Sequence, residues 1–175
     1  MIAAMSADRV IGSMDGLPWD VPADYEHFLA SVRGGAVVMG SRSYEIFGKD
    51  LKDVSAIVLT RSEHAPDGSQ RAGDVEAALA AAAASGRRVW VAGGASVYAQ
   101  VLPYADALHL SIVPGEFEGD AWFPAWDERS WALAEEVSRE GYVFRRYERI
   151  APDPVVRGRP VGLSRRARPL ARRPR

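Results

Sequence analysis

Asp24 is the residue whose type and surroundings best suit it to proton chemistry. It ends the run Trp19-Asp20-Val21-Pro22-Ala23-Asp24, and Tyr25 and Phe28 follow. Pro22 fits the first turn of a helix, where its missing N–H costs nothing. Tyr25, Phe28, Leu29 and Val32 then recur at helical spacing. One carboxylate therefore lies in a helix's first turn with Trp19, Tyr25 and Phe28 close in sequence. An acid at that position commonly does no more than complement the helix dipole. In apolar company it also resists ionisation, so it can hold a proton near neutral pH and exchange it with a bound base.

A second chemistry, anion binding, is suggested twice by a strand–glycine–helix transition. Ala36 to Met39 reads as a short buried strand, Gly40 follows, and Ser41 to Phe47 reads as a short helix stopped by Gly48. A helix start presents free N–H groups and partial positive charge, which suit a phosphate, and Arg42 stands there. Val89 to Ala92 leads in the same way through Gly93-Gly94 into Ala95-Ser96-Val97-Tyr98. Two glycines permit unusual backbone angles and close approach of a ligand, although a tight turn alone would also use them. The spacing is not GxGxxG, so no conventional dinucleotide fingerprint is present.

The elements that must position these residues are legible in outline. Ile2 to Met5 is an apolar run with the composition of a strand buried on both faces. Gly12, Ser13, Asp15, Gly16 and Pro18 break it into a loop. Gly34-Gly35 ends the first helix, and Ala56 to Leu59 is a further buried strand ending at Thr60-Arg61-Ser62. Glu63 to Gly73 reads as a polar loop, and Asp74 caps an alanine-rich helix from Val75 to Ala84. Ala107 to Val113 is strand-like, and Trp131–Val137 and Tyr142–Ile150 form a hairpin around Arg139-Glu140-Gly141. The expected architecture is α/β: a mostly parallel central sheet, helices on both faces, and a C-terminal antiparallel hairpin.

The chain has 175 residues, of which 47% are hydrophobic and 26% charged, ordinary values for one globular domain. There is no cysteine, and His27, His64 and His109 show no ligand spacing, so neither a disulfide nor a structural metal is expected. No apolar run has the length of a membrane span. The expectation is a cytoplasmic monomer. The net charge of −1 conceals an asymmetry: eight arginines and no acid fall after Pro154, leaving the body at −9 and the tail at +8. The domain is expected to span 1–150, with Pro152 and Pro154 at its edge. The Arg/Pro-rich 151–175 segment reads as a disordered appendage, able at most to touch nucleic acid non-specifically.

In order, the blocks DRVIG, LPW, PAD with Phe28 beyond, strand–Gly40–helix, Gly93-Gly94 leading to Val97-Tyr98, and Glu118-Gly119-Asp120 before Phe123-Pro124 resemble dihydrofolate reductase. The resemblance covers residues 1 to about 150. It implies that family's three-layer fold and hydride transfer from NADPH to the pterin ring of dihydrofolate. By the same resemblance Asp24 is the pterin-binding carboxylate that promotes protonation at N5. Ser111 stands at a threonine position that orients it, and Trp19 completes the catalytic set. Ile2, Ala3, Tyr25, Phe28, Phe47, Leu51 and Ala92 correspond to the substrate pocket. Ala4, Ile11, Gly12, Leu17, Gly40, Ser41, Arg42, Ser43, Leu59, Thr60 and Arg61 correspond to the cofactor site, as do Gly93, Gly94, Ala95, Ser96, Val97 and Tyr98. Arg42 and Arg61 are the candidates for a 2′-phosphate.

The sequence departs from the family pattern in places that concern the far end of the substrate. The usual arginine for the α-carboxylate of the folate glutamate falls on Val54, and a basic residue after the pocket Phe is replaced by Leu29. Tyr25 stands where an aliphatic residue is frequent, and Ser41 and Ser96 replace basic residues. Two alternatives are a sister reductase of the same fold acting on a pyrimidine of riboflavin synthesis, and a non-catalytic nucleotide-binding module with a nucleic-acid-binding tail. The PW-x-x-PAD block speaks against the first and Asp24 against the second.

Overall fold

In the computed structural model the described residues are 1–14 and 16–150. The expectations for Asp15 and for the 151–175 tail, with its boundary at Pro152 and Pro154, lie outside them. In chain order the elements are β1 (Ile2–Ser6), β2 (Val10–Gly12), α1 (Pro22–Val32), β3 (Ala36–Gly40), α2 (Ser41–Phe47) and β4 (Ser55–Leu59). There follow β5 (Gln70–Ala72), α3 (Val75–Ala84), β6 (Val89–Val91), α4 (Ala95–Val101), β7 (Ala107–Val113), β8 (Ala121–Trp122), β9 (Trp131–Arg139) and β10 (Tyr142–Arg149).

The period-two alternation of the strands sorts the core into two layers of packing. On β3, Ala36 and Val38 face α3 and α4, joining Ala78, Ala82, Val97 and Val101. Val37 and Met39 face the other way, joining Val32 of α1, Trp90 and Ile2, with Tyr44 of α2 packed alongside. All four β3 side chains are fully buried, each contributing about 1.5–3 kcal/mol relative to an exposed state where the side chain is as large as valine or methionine. Helices therefore cover both faces, giving three layers. An acid at Val38 would place an unpaired charge between two of them.

Two four-stranded ladders carry the layers. One has the order β5-β4-β3-β6 and is parallel throughout. The other has the order β1-β7-β10-β9: β1 and β7 are parallel, and the C-terminal hairpin is antiparallel. The two halves meet through side chains, Ile2 of β1 lying in one cluster with Trp90 and Ala92. The register sets Ala4 of β1 opposite Ser111 of β7. Tyr98 Oη donates to the Ile2 carbonyl at 2.7 Å and ties α4 to the same strand.

Two expectations need correction. The Glu63–Gly73 segment is not all loop, because Gln70–Ala72 forms β5 beside β4. Only Ala72 of the three is buried, so no apolar alternation announced the strand. The loop after β1 likewise contains β2, paired antiparallel with the two-residue β8. A Cβ on Gly119 would lie 2.4 Å from the Gly12 carbonyl oxygen, which explains a glycine inside the Glu118-Gly119-Asp120 block. No helix among the described residues is long and apolar enough to cross a membrane.

Candidate active site

Pro22 opens α1 at its first turn, and the Asp24 N–H donates to the Val21 carbonyl at 3.0 Å. This geometry turns the Asp24 side chain inward, where it is 5% exposed. It borders an inner cavity of about 90 Å³ with Ile2, Ala3 and Ala4 of β1, Tyr25, His27 and Phe28 of α1, Phe47, Ala92, Gly93, Tyr98 and Ser111. Burial holds the Asp24 carboxyl above its usual range, opposed in part by the Ser111 hydroxyl and by the nearby His27. An ionisable acid at an apolar wall, with one hydroxyl to steady it, is suited to holding a proton and releasing it to a bound base.

His27 was not singled out by sequence reasoning, yet it lies on the same wall. Its ring packs on Phe144 at 4.9 Å between centroids and on Tyr142 at 6.2 Å. Burial lowers its pKa, while Asp24 and Glu135 pull it up and Arg139 pushes it down. The one available signal was the i, i+3 spacing from Asp24 on the first helix.

The inner cavity joins a long groove of about 1050 Å³. Ile11, Leu17, Ser43, Phe47 and Gly94 line both. The groove runs past Gly12, Gly40, Ser41 and Arg42, then Leu59, Thr60 and Arg61, and on its other side past Ala95, Ser96 and Val97. The two glycine turns are held against each other: the Gly40 N–H donates to the Gly93 carbonyl at 2.8 Å. Gly93 has a φ of +107°, a conformation that favours glycine, and a Cβ on Gly94 would lie 3.3 Å from Ser43 Oγ, which would have to give by a few tenths of an ångström. The turn carrying Thr60 and Arg61 is shaped by the Ser62 N–H donating to Thr60 Oγ1 at 3.1 Å and by Arg71 Nε donating to the Ser62 carbonyl at 2.6 Å. The Arg42 guanidinium reaches the Met14 carbonyl and so links α2 to the loop after β2.

A family model described as "Dihydrofolate reductase" matches residues 1–149. The chain belongs to the dihydrofolate reductase family. It is 35% identical over 168 residues to dihydrofolate reductase HdrB of Haloferax volcanii, covering 90% of this chain and 87% of that one. With dihydrofolate reductase of Bacillus subtilis it shares 34% over 158 residues, covering 85% and 92%. Among solved structures, the dihydrofolate reductase from Enterococcus faecalis complexed with NADP(H) and RAB-propyl superposes with a TM-score of 0.76 at 28% identity, covering 86% of this chain and 95% of that one. Membership in the dihydrofolate reductase family favours neither the pyrimidine reductase nor the non-catalytic module.

Against the dihydrofolate reductase pattern, most positions carried over from the sequence fall on one of the two cavities. Asp24, Ser111, Ile2, Ala3, Tyr25, Phe28, Phe47 and Ala92 border the inner one, together with Ala4, Gly93 and Tyr98, which had been grouped with the cofactor. Two line neither. The Trp19 ring packs edge-on against Phe117 at 5.0 Å, and Leu51 packs with Phe28, Tyr44 and Val54 against the Ile2–Trp90 cluster. The groove also takes in Gln100, which no motif marked, Asp74, marked only as a helix cap, and Asp120 of the Glu118-Gly119-Asp120 block. Asp74 caps α3, accepting from the Ala77 N–H at 2.8 Å.

Proposed function

We propose that this chain reduces 7,8-dihydrofolate to tetrahydrofolate with NADPH. One observation carries the reading: a buried carboxylate stands in a small apolar cavity that shares a wall with a groove whose volume of about 1050 Å³ can hold a dinucleotide. The groove fits the cofactor by its size, its paired glycine turns and its two arginines. When bound, NADPH supplies the hydride.

The chain's own residues do the rest. Asp24 holds the pterin ring and sustains its protonation at N5, with Ser111 orienting the carboxylate. Ile2, Ala3, Phe28 and Phe47 enclose the ring and exclude water, which strengthens the Asp24 interaction. Gly40 to Ser43, Thr60 and Arg61, and Gly94 to Val97 cradle the cofactor, and Arg42 and Arg61 select the 2′-phosphate. The 1–150 domain acts as a monomer on small molecules, and the Arg-rich 151–175 segment is dispensable to catalysis.

The test is loss of NADPH absorbance on adding dihydrofolate, for the full chain and for a chain ended after Pro154. Turnover by both, with tetrahydrofolate as the product, is expected. NADPH binding with no reduction of any dihydropterin would refute the assignment, and activity confined to the full chain would refute the role given to the tail.

A further inference from the structure

Arg71 lies on β5, the edge strand that stands in place of an expected loop. β5 runs parallel to β4, with Ala72 opposite Leu59, and the Thr60 N–H donates to the Ala72 carbonyl at 3.0 Å. The ladder brings the C-terminal ends of two parallel strands side by side, where open α/β sheets take their ligands. Thr60, Arg61 and Ser62 follow β4 there, Gly73 and Asp74 follow β5, and all of them line the groove.

The Arg71 side chain is exposed. It is not itself part of the groove lining, but its guanidinium stands between two residues that are. On one side Nε donates to the Ser62 carbonyl at 2.6 Å. On the other, a Cβ added to Gly73 would lie 3.7 Å from both Nη1 and Nη2, so glycine leaves the guanidinium a place that a longer side chain would fill. Among the described residues, nothing else accepts from Arg71 and no carboxylate pairs with it or with Arg61. The N–H donors of Nη1 and Nη2 therefore remain, in a fork that suits a phosphate. Asp74 is the acid lining this end of the groove, its Oδ1 accepting from the Ala77 N–H at 2.8 Å. Glu63 is exposed and outside the lining. Arg61 alone would only offset Asp74, and Arg71 turns the local balance positive.

We propose that Arg71 is a specificity-determining residue for the cofactor: fastened through Nε to the Ser62 carbonyl and laid over Gly73, it presents Nη1 and Nη2, beside Arg61, to the 2′-phosphate of NADPH. This rests on the reading that the groove takes NADPH. The bond to Ser62 sets the fork before the ligand arrives, so less freedom is lost on binding.

Arg71→Gln places an amide nitrogen where Nε stood, keeps a donor for the Ser62 carbonyl, and removes the fork and its charge. Dissociation constants are read by fluorescence titration for NADPH and NADH, and by calorimetry for adenosine 2′,5′-bisphosphate. Arg71→Gln should weaken NADPH by about three- to twentyfold at low ionic strength and NADH by less than about twofold. The bisphosphate, which has no nicotinamide, should lose affinity as NADPH does. Arg71→Lys, which keeps the charge without the fork, should fall between Gln and wild type. The wild-type advantage over Arg71→Gln should shrink as salt approaches about 0.5 M, because exposed charges are then screened. A merely structural role in the Ser62 turn would weaken NADPH and NADH alike and would be indifferent to salt. Equal losses for the two cofactors, or an NADPH affinity that Arg71→Gln leaves unchanged, would overturn the proposal. If the wild type prefers NADPH and Arg71→Gln keeps that preference in full, this proposal fails alone. If the wild type shows no preference for the 2′-phosphate, the reading of the groove as an NADPH site fails and takes this proposal with it.

Discussion

Replacing Asp24 with asparagine exchanges one oxygen for an amide nitrogen, keeps the volume, and removes a charge from a site that is 5% exposed. Two effects of opposite sign follow. The folded carboxyl titrates above its ordinary value because it is buried. Below that ordinary value it is protonated in both folded and unfolded chains and costs nothing. As pH rises through the folded value, the ionised form is disfavoured only in the fold, so stability falls with rising pH. Each tenfold displacement of the acid constant is worth about 1.4 kcal/mol. A domain of this length gains about 2–4 °C in melting temperature per kcal/mol. Asp24→Asn should therefore melt higher than wild type at pH 8, with the difference closing toward pH 3–4. Activity should move the other way. An amide keeps a hydrogen bond to the ring but cannot sustain its protonation, a loss of about 10²–10⁴-fold in hydride transfer at neutral pH. The deficit should narrow in acid, where solvent supplies the proton. Single-turnover NADPH oxidation across pH, beside calorimetry of the same samples, reads both. Near-wild-type turnover at pH 7, or a variant less stable at pH 8, would refute the reasoning.

Alanine at both Arg42 and Arg61 should weaken NADPH binding by at least tenfold more than NADH binding, since a charged hydrogen bond contributes about 1.5–3 kcal/mol; equal losses in titration would remove the 2′-phosphate role. Val54→Arg should lower KM for dihydrofolate and leave a tail-less dihydropterin unmoved, the gain trimmed by about 1 kcal/mol because valine leaves an apolar cluster; a matching change for both substrates would count against it. His27 is held below its usual pKa by burial, so its folded form resists the proton that the unfolded chain accepts, and stability is lost as pH falls below about 6.5. His27→Phe should remove that acid loss and raise the acid limb of the pH–rate profile, because Asp24 loses a positive neighbour; Glu135 and Arg139, which also face the ring, stay in place. A limb that does not move would uncouple the two residues.

The sequence shows most of the layers because apolar runs and helical periods carry their own signal. The ALHLSIV run is β7 to the residue, and Asp74 caps α3 as its type suggested. Short pieces held by neighbours escaped: β2, β5 and β8 have two or three residues each, too few to repeat a pattern. The site was legible only through the order of its blocks. Nothing local tells that a Cβ on Gly93 or Gly94 would come within 3.3 Å of Ser43 Oγ, or that His27 borders the same cavity as Asp24 while Trp19 packs on Phe117. Those facts depend on which elements meet, and the β3 and β6 turns meet only after the sheet forms.

The partition shared by the inner cavity and the groove, made of Ile11, Leu17, Ser43, Phe47 and Gly94, makes the two binding equilibria inseparable. A molecule in either compartment packs against five residues that the other compartment also uses. Whatever factor the cofactor brings to the affinity for a ring compound, the ring compound returns to the cofactor, because the thermodynamic cycle must close. Compounds that fill the inner cavity are therefore ranked correctly only at a stated NADPH concentration. Substitutions in those five residues are expected to change the coupling between the ligands as well as the affinity for each.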